Sequence, residues 1–198
     1  MTAEPDVTQA GLEPEPRRFR QVLGHFCTGV TVITALAGDK SEPVGFACQS
    51  FAAVSLEPPL VLFCPSRASA TWPRIERAGH FCANVLTDGQ RELSRGFGVS
   101  AATGVDKFAG LRWRACSSGA PVLEGALTWI GGAIEAVHEA GDHYVVIGRV
   151  TELGECAPQS PLLFYRGRYS QTAAVSPEEG PPEVVDTLLA WPRHADWI

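Results

Sequence analysis

Short apolar stretches rich in β-branched and aromatic residues recur along the chain and are separated by turn residues. Residues 30–36 alternate, so that Val30, Val32 and Leu36 share one face of a predicted strand. A continuous apolar run at residues 60–64 predicts a strand that is buried on both faces. The full pattern predicts strands over residues 30–36, 44–48, 51–56, 60–64, 81–86, 127–137, 143–151 and 162–165, with turns at 38–40 and 138–142 and an interruption of pairing at Pro58-Pro59.

Helical periodicity is confined to a few segments. Apolar residues at helical spacing predict an amphipathic helix over residues 18–27, with Gly29 placed to end it. A second helix is predicted over residues 69–78, followed by a left-handed cap at Gly79. These helices are short, so we expect them to flank a β structure.

Three further segments complete the pattern. Residues 87–90, Thr-Asp-Gly-Gln, fit a capping box and predict a helix that reaches Arg95. Residues 96–110 are rich in Gly and Ala without a period, which predicts a loop long enough to suggest a functional role. Residues 181–191 are expected to form a small terminal helix.

Many short strands, few helices and short connections predict a mainly β protein. No strand–helix–strand alternation is sustained, so an antiparallel barrel or sandwich is expected rather than a doubly wound sheet. The 198 residues are expected to divide into a disordered acidic segment (1–16), one domain (17–170) and an acidic C-terminal extension (171–198).

Charge narrows the set of ligands. The net charge is −6, but both ends are acidic and residues 17–170 carry a net charge of +2. A slightly basic body suits a small ligand that bears phosphate, and it is far too weakly basic for nucleic acid. No apolar run is long enough to span a membrane, and the acidic N-terminus does not resemble a secretory signal, so the cytoplasm is the expected location.

The six cysteines and five histidines are scattered, and no metal-binding spacing occurs. Cys27, Cys48, Cys64 and Cys82 lie inside apolar runs and are expected to be buried free thiols of low nucleophilicity. Glycine-rich phosphate motifs of the Rossmann and P-loop types and the nucleophile elbow of α/β-hydrolases do not occur.

Three local features could carry chemistry. Residues 45–51 mix small and polar side chains between two strands, and could expose backbone groups to a planar heterocycle or simply form a bulge. Residues 66–71 place hydroxyls and Arg67 before a helix, which suits an anion or an ordinary N-cap. His143 follows a Gly-Asp turn, where histidine is usually a solvated residue.

Taken together and in order, these features resemble the short-chain flavin reductases of two-component monooxygenases. The resemblance covers about three quarters of the chain, and residues up to Gly29 together with 44–65 are most similar to actinobacterial reductases that supply steroid or aromatic-ring hydroxylases. Relatives often have Thr-Ala-Asn-Ser where this chain has Ala-Cys-Gln-Ser at residues 47–50. The matching stretches are residues 26–34, 45–61, 66–69, 106–108, 141–143 and 164–169.

The resemblance implies a split β-barrel, a Greek-key antiparallel barrel of the FMN-binding type, in a homodimer. It implies hydride transfer from NADH (or NADPH) to FMN (or FAD), with reduced flavin passing to a partner oxygenase. His143 is the one candidate for a catalytic role. The implied flavin contacts are Gly29, Val30, Thr31, Ala47, Cys48, Gln49, Ser50 and Ser55, with Arg67 and Ser69 at the phosphate, and the implied nicotinamide contacts are His143, Phe97, Arg168 and Tyr169.

Two alternatives remain at the level of sequence. A non-catalytic flavin carrier or redox sensor of the same fold would need no dinucleotide contact, so the Gly-Asp-His sequence at 141–143 argues against it. An enzyme similar to pyridoxine-phosphate oxidase would need more basic residues for a second phosphate, whereas this chain has only two lysines.

Overall fold

The computed structural model describes residues 14–38, 42–100 and 104–172, and it is mainly β. The helices are α1 (Pro16–Leu23), α2 (Trp72–Ala78) and α3 (Arg91–Gly98), and a 3-10 turn at Asp88–Gln90 precedes α3. The strands are β1 (Thr28–Gly29), β2 (Thr31–Ala37), β3 (Glu42–Cys48), β4 (Ala52–Leu56), β5 (Pro59–Phe63), β6 (His80–Val85), β7 (Trp113–Ala115), β8 (Pro121–Leu123), β9 (Thr128–Ala140), β10 (His143–Leu153), β11 (Leu163–Tyr165) and β12 (Arg168–Ser170).

Seven strands form one antiparallel sheet in the order β3-β2-β6-β9-β10-β5-β4. Its edges are therefore β3 and β4, and the long hairpin of β9 and β10 lies at its centre. A small sheet with the order β1-β11-β12 and the β7-β8 pair lie outside it. This arrangement matters for function because β3 is one wall of the candidate site, and no other described strand pairs with its second side.

The main core lies on one face of the seven-stranded sheet. Phe63 and Phe81 pack edge to face, with ring centroids 5.1 Å apart, and Trp72 of α2 covers Phe63 at 6.0 Å. Side chains of β2, β3, β5 and β6 all belong to this buried cluster, so the sheet must coil to bring its distant strands together. Gly148 of β10 faces the Phe81 ring, where a Cβ atom would lie only 2.4 Å from Cε1.

A buried amide ties three strands together. Asn84 of β6 is fully buried, and its Oδ1 accepts the N–H of Leu123 at 2.7 Å. The two N–H groups of its Nδ2 are shared among three acceptors, Val32 O (3.2 Å), Thr34 Oγ1 (3.2 Å) and Pro121 O (3.3 Å). A buried polar side chain is stable only when it is hydrogen-bonded, and Asn84 satisfies this by linking β6 to β2 and β8.

The predicted strands all correspond to observed ones, but two expectations about strands are wrong. Leu60 and Leu62 of β5 are only half-buried, so this strand is not buried on both faces. The proline pair does not interrupt pairing either, because Pro59 pairs with Leu56 in the hairpin of β4 and β5. Strands β1, β7, β8 and β12 were not predicted.

The first helix is shorter than predicted, and Gly29 does not end it. α1 ends at Leu23, where the N–H of Gly24 donates to the carbonyl group of Arg20 (2.9 Å) and the N–H of His25 donates to that of Val22 (3.0 Å). Gly29 belongs to β1. The apolar side of this predicted amphipathic helix is not covered by the described residues: Phe19 and Leu23 are about half exposed, and Phe26 beyond the helix is 76% exposed.

The other helices follow their signals more closely. α2 ends at Gly79 in the left-handed conformation, as predicted, although it begins at Trp72 rather than residue 69. The Gln90 side chain accepts the N–H of Thr87 at 3.1 Å, which confirms the capping box. α3 continues to Gly98, so the first three residues of the loop predicted over 96–110 belong to this helix instead. The expected helix at 181–191 lies outside the described residues.

The cysteines are free thiols, but their predicted burial is only partly correct. Cys48 and Cys82 are buried, Cys64 is half-buried and Cys27 is exposed. Burial raises the pKa of both the Cys48 and the Cys82 thiols, as expected for cysteines in apolar surroundings. Among the described residues, neither a group of metal-ligating side chains nor a helix of sufficient length and apolarity to cross a membrane is found.

Candidate active site

A cleft of about 710 Å³ opens where four parts of the fold meet. They are the end of β3, the segment that leads from β5 to α2, the end of α3, and the start of β10 together with β11 and β12. Its lining contains the side chains of Arg95, Lys107 and His143, and none of its described lining residues is a carboxylate. This balance suits an anionic ligand.

The edge strand β3 supplies one wall of the cleft. Among the described strands it pairs only with β2, and the carbonyl group of Gly45 on its other side accepts a hydrogen bond from Lys107 at 3.4 Å. Peptide groups alternate in direction along an antiparallel strand, so Ala47 presents its N–H and C=O to the same free side. Free peptide groups of this kind can hydrogen-bond the edge of a planar heterocycle.

Ser50 closes this wall against β5. Its Oγ accepts the N–H of Cys64 at 3.0 Å and lies 3.3 Å from both the carbonyl oxygen of Cys64 and the Sγ of Cys48. Two strands far apart in the sheet order are therefore joined at the cleft. The Ser50 hydroxyl thus already has structural partners.

The loop at residues 66–71 forms the opposite wall. It is held against β10, because the N–H of Tyr144 donates to Pro65 O and the N–H of Arg67 donates to Asp142 O, both at 2.9 Å. The Ser69 hydroxyl accepts the N–H groups of Thr71 (3.3 Å) and Trp72 (3.1 Å). Ser69 therefore satisfies backbone donors at the start of α2 as well as lining the cleft.

His143 stands at the start of β10 with its ring half-buried in the cleft lining. Its Nδ1 lies 2.7 Å from Asp142 Oδ1, and this hydrogen bond lowers the pKa of the Asp142 carboxyl below its ordinary value. Because Nδ1 is held by the carboxylate, Nε2 is the nitrogen left for a ligand. The turn thus orients the imidazole ring.

Three aromatic side chains, Phe97, Phe164 and Tyr169, complete the lining of the cleft. Tyr169 packs edge to face on Phe164, with centroids 5.4 Å apart, and its hydroxyl group lies 3.0 Å from Ser94 Oγ. The guanidinium of Arg95 lies 5.6 Å above the Tyr169 ring. Phe97 is 1% exposed and packs beneath Gly45, where a Cβ atom would lie 2.9 Å from its ring, so it contributes to the floor.

The structure brings most of the predicted site residues to this cleft. Five others do not line it. Thr31 is buried and donates to Cys48 O at 3.0 Å, and Ser55 accepts the N–H of Glu57 at 3.2 Å. Gly29 lies in a neighbouring groove, and Arg168 is exposed. Those that line the cleft are Val30, Ala47, Cys48, Gln49, Ser50, Ser69, Phe97, His143 and Tyr169.

Arg67 is the fifth of these residues, although its neighbours Ser66 and Ala68 do line the cleft. Its guanidinium pairs with Glu139 of β9 at 3.2 Å and lies 5.7 Å above the Tyr144 ring. The side chain is 46% exposed, so the exchange of this surface ion pair for a ligand would cost little.

Sequence reasoning did not select Ser94, Arg95 or Lys107 as site residues. Lys107 lies in a stretch that supports the family resemblance, but its motif carries no role by itself. Ser94 and Arg95 lie on one predicted helix, and no local pattern distinguishes that helix from an ordinary surface helix. Their place in the cleft depends on contacts with Tyr169, more than seventy residues further along the chain.

The fold and the cleft together define a class of protein. The chain matches the family described as the flavin reductase like domain over residues 23–173, and it belongs to this family. It is therefore a flavin reductase, an oxidoreductase that acts on flavin. The antiparallel sheet and the carboxylate-free cleft agree with this assignment.

Individual relatives point the same way. The chain is 52% identical over 188 residues to the reductase subunit HsaB of a flavin-dependent monooxygenase from Rhodococcus jostii (strain RHA1), covering 93% of this chain and 92% of that protein. It resembles the crystal structure of nitrilotriacetate monooxygenase component B from Mycobacterium thermoresistibile, with a TM-score of 0.75, 49% identity, and coverage of 84% and 89%. The NADH:FAD oxidoreductase SgcE6 of Streptomyces globisporus C-1027, solved with NAD and FAD fragments, gives a TM-score of 0.74, 35% identity, and coverage of 81% and 94%.

Proposed function

We propose that the protein is an NADH-dependent flavin reductase that supplies reduced flavin to a partner oxygenase in the cytoplasm. The observation that carries this proposal is that four features line one cleft: the free edge of β3, the loop at 66–71, His143 and Tyr169. Residues 17–170 form the reductase domain in this proposal. The seven-stranded coiled sheet is then the wall of a split barrel of the FMN-binding type.

In this proposal the cleft holds a flavin and a nicotinamide together, and its basic side chains, with no carboxylate among the described lining residues, support the binding of such anionic ligands. When bound, these groups supply the hydride donor and acceptor, and the chemistry of transfer is theirs. The residues of the chain have to hold two rings in contact and exclude water. Ala47 and its strand edge face the heterocycle in this proposal, and the loop at 66–71, with Arg67 and Ser69, lies at the flavin phosphate.

His143 and Tyr169 form the nicotinamide side in the same proposal. The Nε2 atom of His143 is free to donate to or accept from the carboxamide of the nicotinamide, because Nδ1 is bound by Asp142. Tyr169 offers an aromatic face that is fixed by Phe164 and Ser94. Neither residue has to transfer a proton for hydride transfer to occur.

The test is steady-state oxidation of NADH and of NADPH with FMN, FAD and riboflavin as acceptors, followed by coupling of the reduced flavin to an oxygenase. Rapid NADH oxidation that depends on added flavin supports the proposal. A protein that binds flavin tightly yet oxidises neither dinucleotide is instead a carrier or sensor of the same fold.

We also propose that the protein is a homodimer. An apolar groove of about 770 Å³ is lined by the exposed Phe19, Leu23 and Phe26, and it shares Gln49 and Phe164 with the cleft. Exposed large apolar side chains that cluster in one groove are typical of an interaction site, and a second copy seated there would adjoin the cleft. Light scattering should give twice the chain mass of 21.2 kDa, and a particle of the chain mass at micromolar concentration would contradict this.

A further inference from the structure

Lys107 places an ammonium group in the cleft that has no carboxylate partner among the described residues. Its Nζ donates to the carbonyl oxygen atoms of Phe97 (3.0 Å) and Gly45 (3.4 Å), which are neutral acceptors. The ion pairs within the described part of the chain all involve arginine or histidine. An ammonium group has three donors, and among the described residues these two contacts use only two of them.

Partial burial makes the ammonium form of Lys107 less favourable than it would be in water. Burial lowers the pKa of the Lys107 ammonium below its ordinary value, and within the described part of the chain no charged group offsets this effect. A partly buried charge normally has an oppositely charged partner, because desolvation disfavours the ionised form. A ligand that carries the missing negative charge would account for its presence.

The position of Lys107 indicates which part of a ligand it meets. A side cavity of about 370 Å³ adjoins the cleft, and Thr71 and Lys107 line both. Thr71 ends the loop at 66–71, so Lys107 lies between that loop and the side cavity. The other charged residues that line the two cavities are Arg95 and His143 in the cleft and Glu42, Arg74 and Asp106 in the side cavity, where Arg74 and Glu42 are paired at 2.6 Å.

We propose that Lys107 binds a phosphate group of the nucleotide that occupies the cleft. The inference rests on the proposed function, because both the flavin and the dinucleotide carry phosphate. Lysine suits this task as a point charge that needs no planar partner. The phosphate belongs either to the flavin or to NADH. Riboflavin has no phosphate, so assays with riboflavin as the acceptor distinguish the two sources.

A purely structural role predicts different results. Lys107 also binds the carbonyl group of Phe97 near the end of α3 and joins α3 to β3. Glutamine at this position keeps an N–H donor for those carbonyl groups but removes the charge, whereas arginine keeps the charge. Lys107→Gln and Lys107→Arg therefore distinguish a role in anion binding from a structural role in holding α3 against β3.

The experiment measures flavin affinity by fluorescence titration and NADH kinetics with riboflavin as the acceptor. If the phosphate is that of the flavin, Lys107→Gln weakens FMN and FAD about 10- to 100-fold and leaves riboflavin unchanged. If it is that of NADH, the KM for NADH rises about 10- to 100-fold with riboflavin, while flavin affinities stay the same. Lys107→Arg should retain much of either contact.

Arg77→Gln is the matched control. Arg77 is exposed on α2 and lines neither the cleft nor the side cavity, and its loss removes the same charge. This variant should leave both readouts unchanged. Equal losses of flavin or NADH affinity in the Arg77 and Lys107 variants would show that the effect comes from the net charge of the protein, and this would overturn the proposal.

A second measurement uses the unaltered protein, so the proposal stays testable if Lys107→Gln fails to fold. The ammonium form binds phosphate, so phosphate-dependent affinity should fall as the pH rises through the lowered pKa of Lys107, and it should weaken with added salt. Riboflavin binding should show neither trend.

A Lys107→Gln variant with wild-type affinities, or equal losses for FMN and riboflavin, would overturn the proposal. Absence of NADH oxidation by the unaltered protein would contradict the proposed function instead.

Discussion

Replacement of His143 by alanine tests the nicotinamide side of the cleft. The ring is half-buried in the lining, its Nδ1 is held 2.7 Å from Asp142, and its Nε2 is left for the ligand. Loss of one neutral hydrogen bond of about 0.5–1.5 kcal/mol corresponds to a rise of roughly 2- to 12-fold in the KM for NADH. The surface pair with Asp142 adds little stability, so the fold should be unaffected.

The assay combines flavin titration with NADH kinetics on the same preparation. Loss of uniform binding raises KM and leaves kcat alone, whereas loss of ring alignment lowers kcat as well. We expect some of both for His143→Ala, with flavin affinity nearly intact. Asp142→Asn is the companion variant, because it keeps the ring but removes the carboxylate that orients it. Its effect on NADH should be in the same direction and smaller.

Two results would refute this reasoning. Unchanged NADH kinetics in His143→Ala would make His143 a solvated turn residue. A fall in flavin affinity with an unchanged KM for NADH would move the ring to the flavin side of the cleft. A melting temperature equal to that of the unaltered protein is needed for either conclusion.

Three further variants test the phosphate loop and the core. Arg67→Ala should weaken the affinity for FMN about 10- to 100-fold in fluorescence titration and leave the affinity for riboflavin unchanged, because riboflavin has no phosphate. Equal losses of affinity for both flavins would show that Arg67 does not bind the phosphate. Asn84→Ala should lower the free energy of unfolding by about 2–4 kcal/mol in urea titration, since the buried N–H of Leu123 loses its acceptor. Gly148→Ala should cost about 1–3 kcal/mol by the same method, because its Cβ would overlap the buried Phe81 ring. Wild-type unfolding midpoints would contradict the last two.

The sequence was sufficient where a signal is local and strong. The central strands β2, β6, β9 and β10 carry long apolar patterns that bury side chains against a sheet, and Gly79 and the Thr87–Gln90 box mark helix boundaries through their own backbone needs. Family motifs in the right order then led to the flavin reductases. Strands β1, β7, β8 and β12 escaped prediction because two or three residues carry no period, and their pairing depends on distant partners.

The amino-acid sequence alone therefore determined the mainly β class, the positions of the main strands along the chain and the family, whereas the order of the strands in the sheet was not predicted. Only the tertiary structure decided which side chains share the cleft, because these come from segments separated by tens of residues. Arg67 lies in a loop that suits an anion, yet Glu139 on β9 holds its guanidinium outside the cleft lining. Lys107 gains its position from carbonyl groups on β3 and α3, which no local pattern encodes. Periodicity reports the burial of one segment, whereas a site depends on how several segments pack.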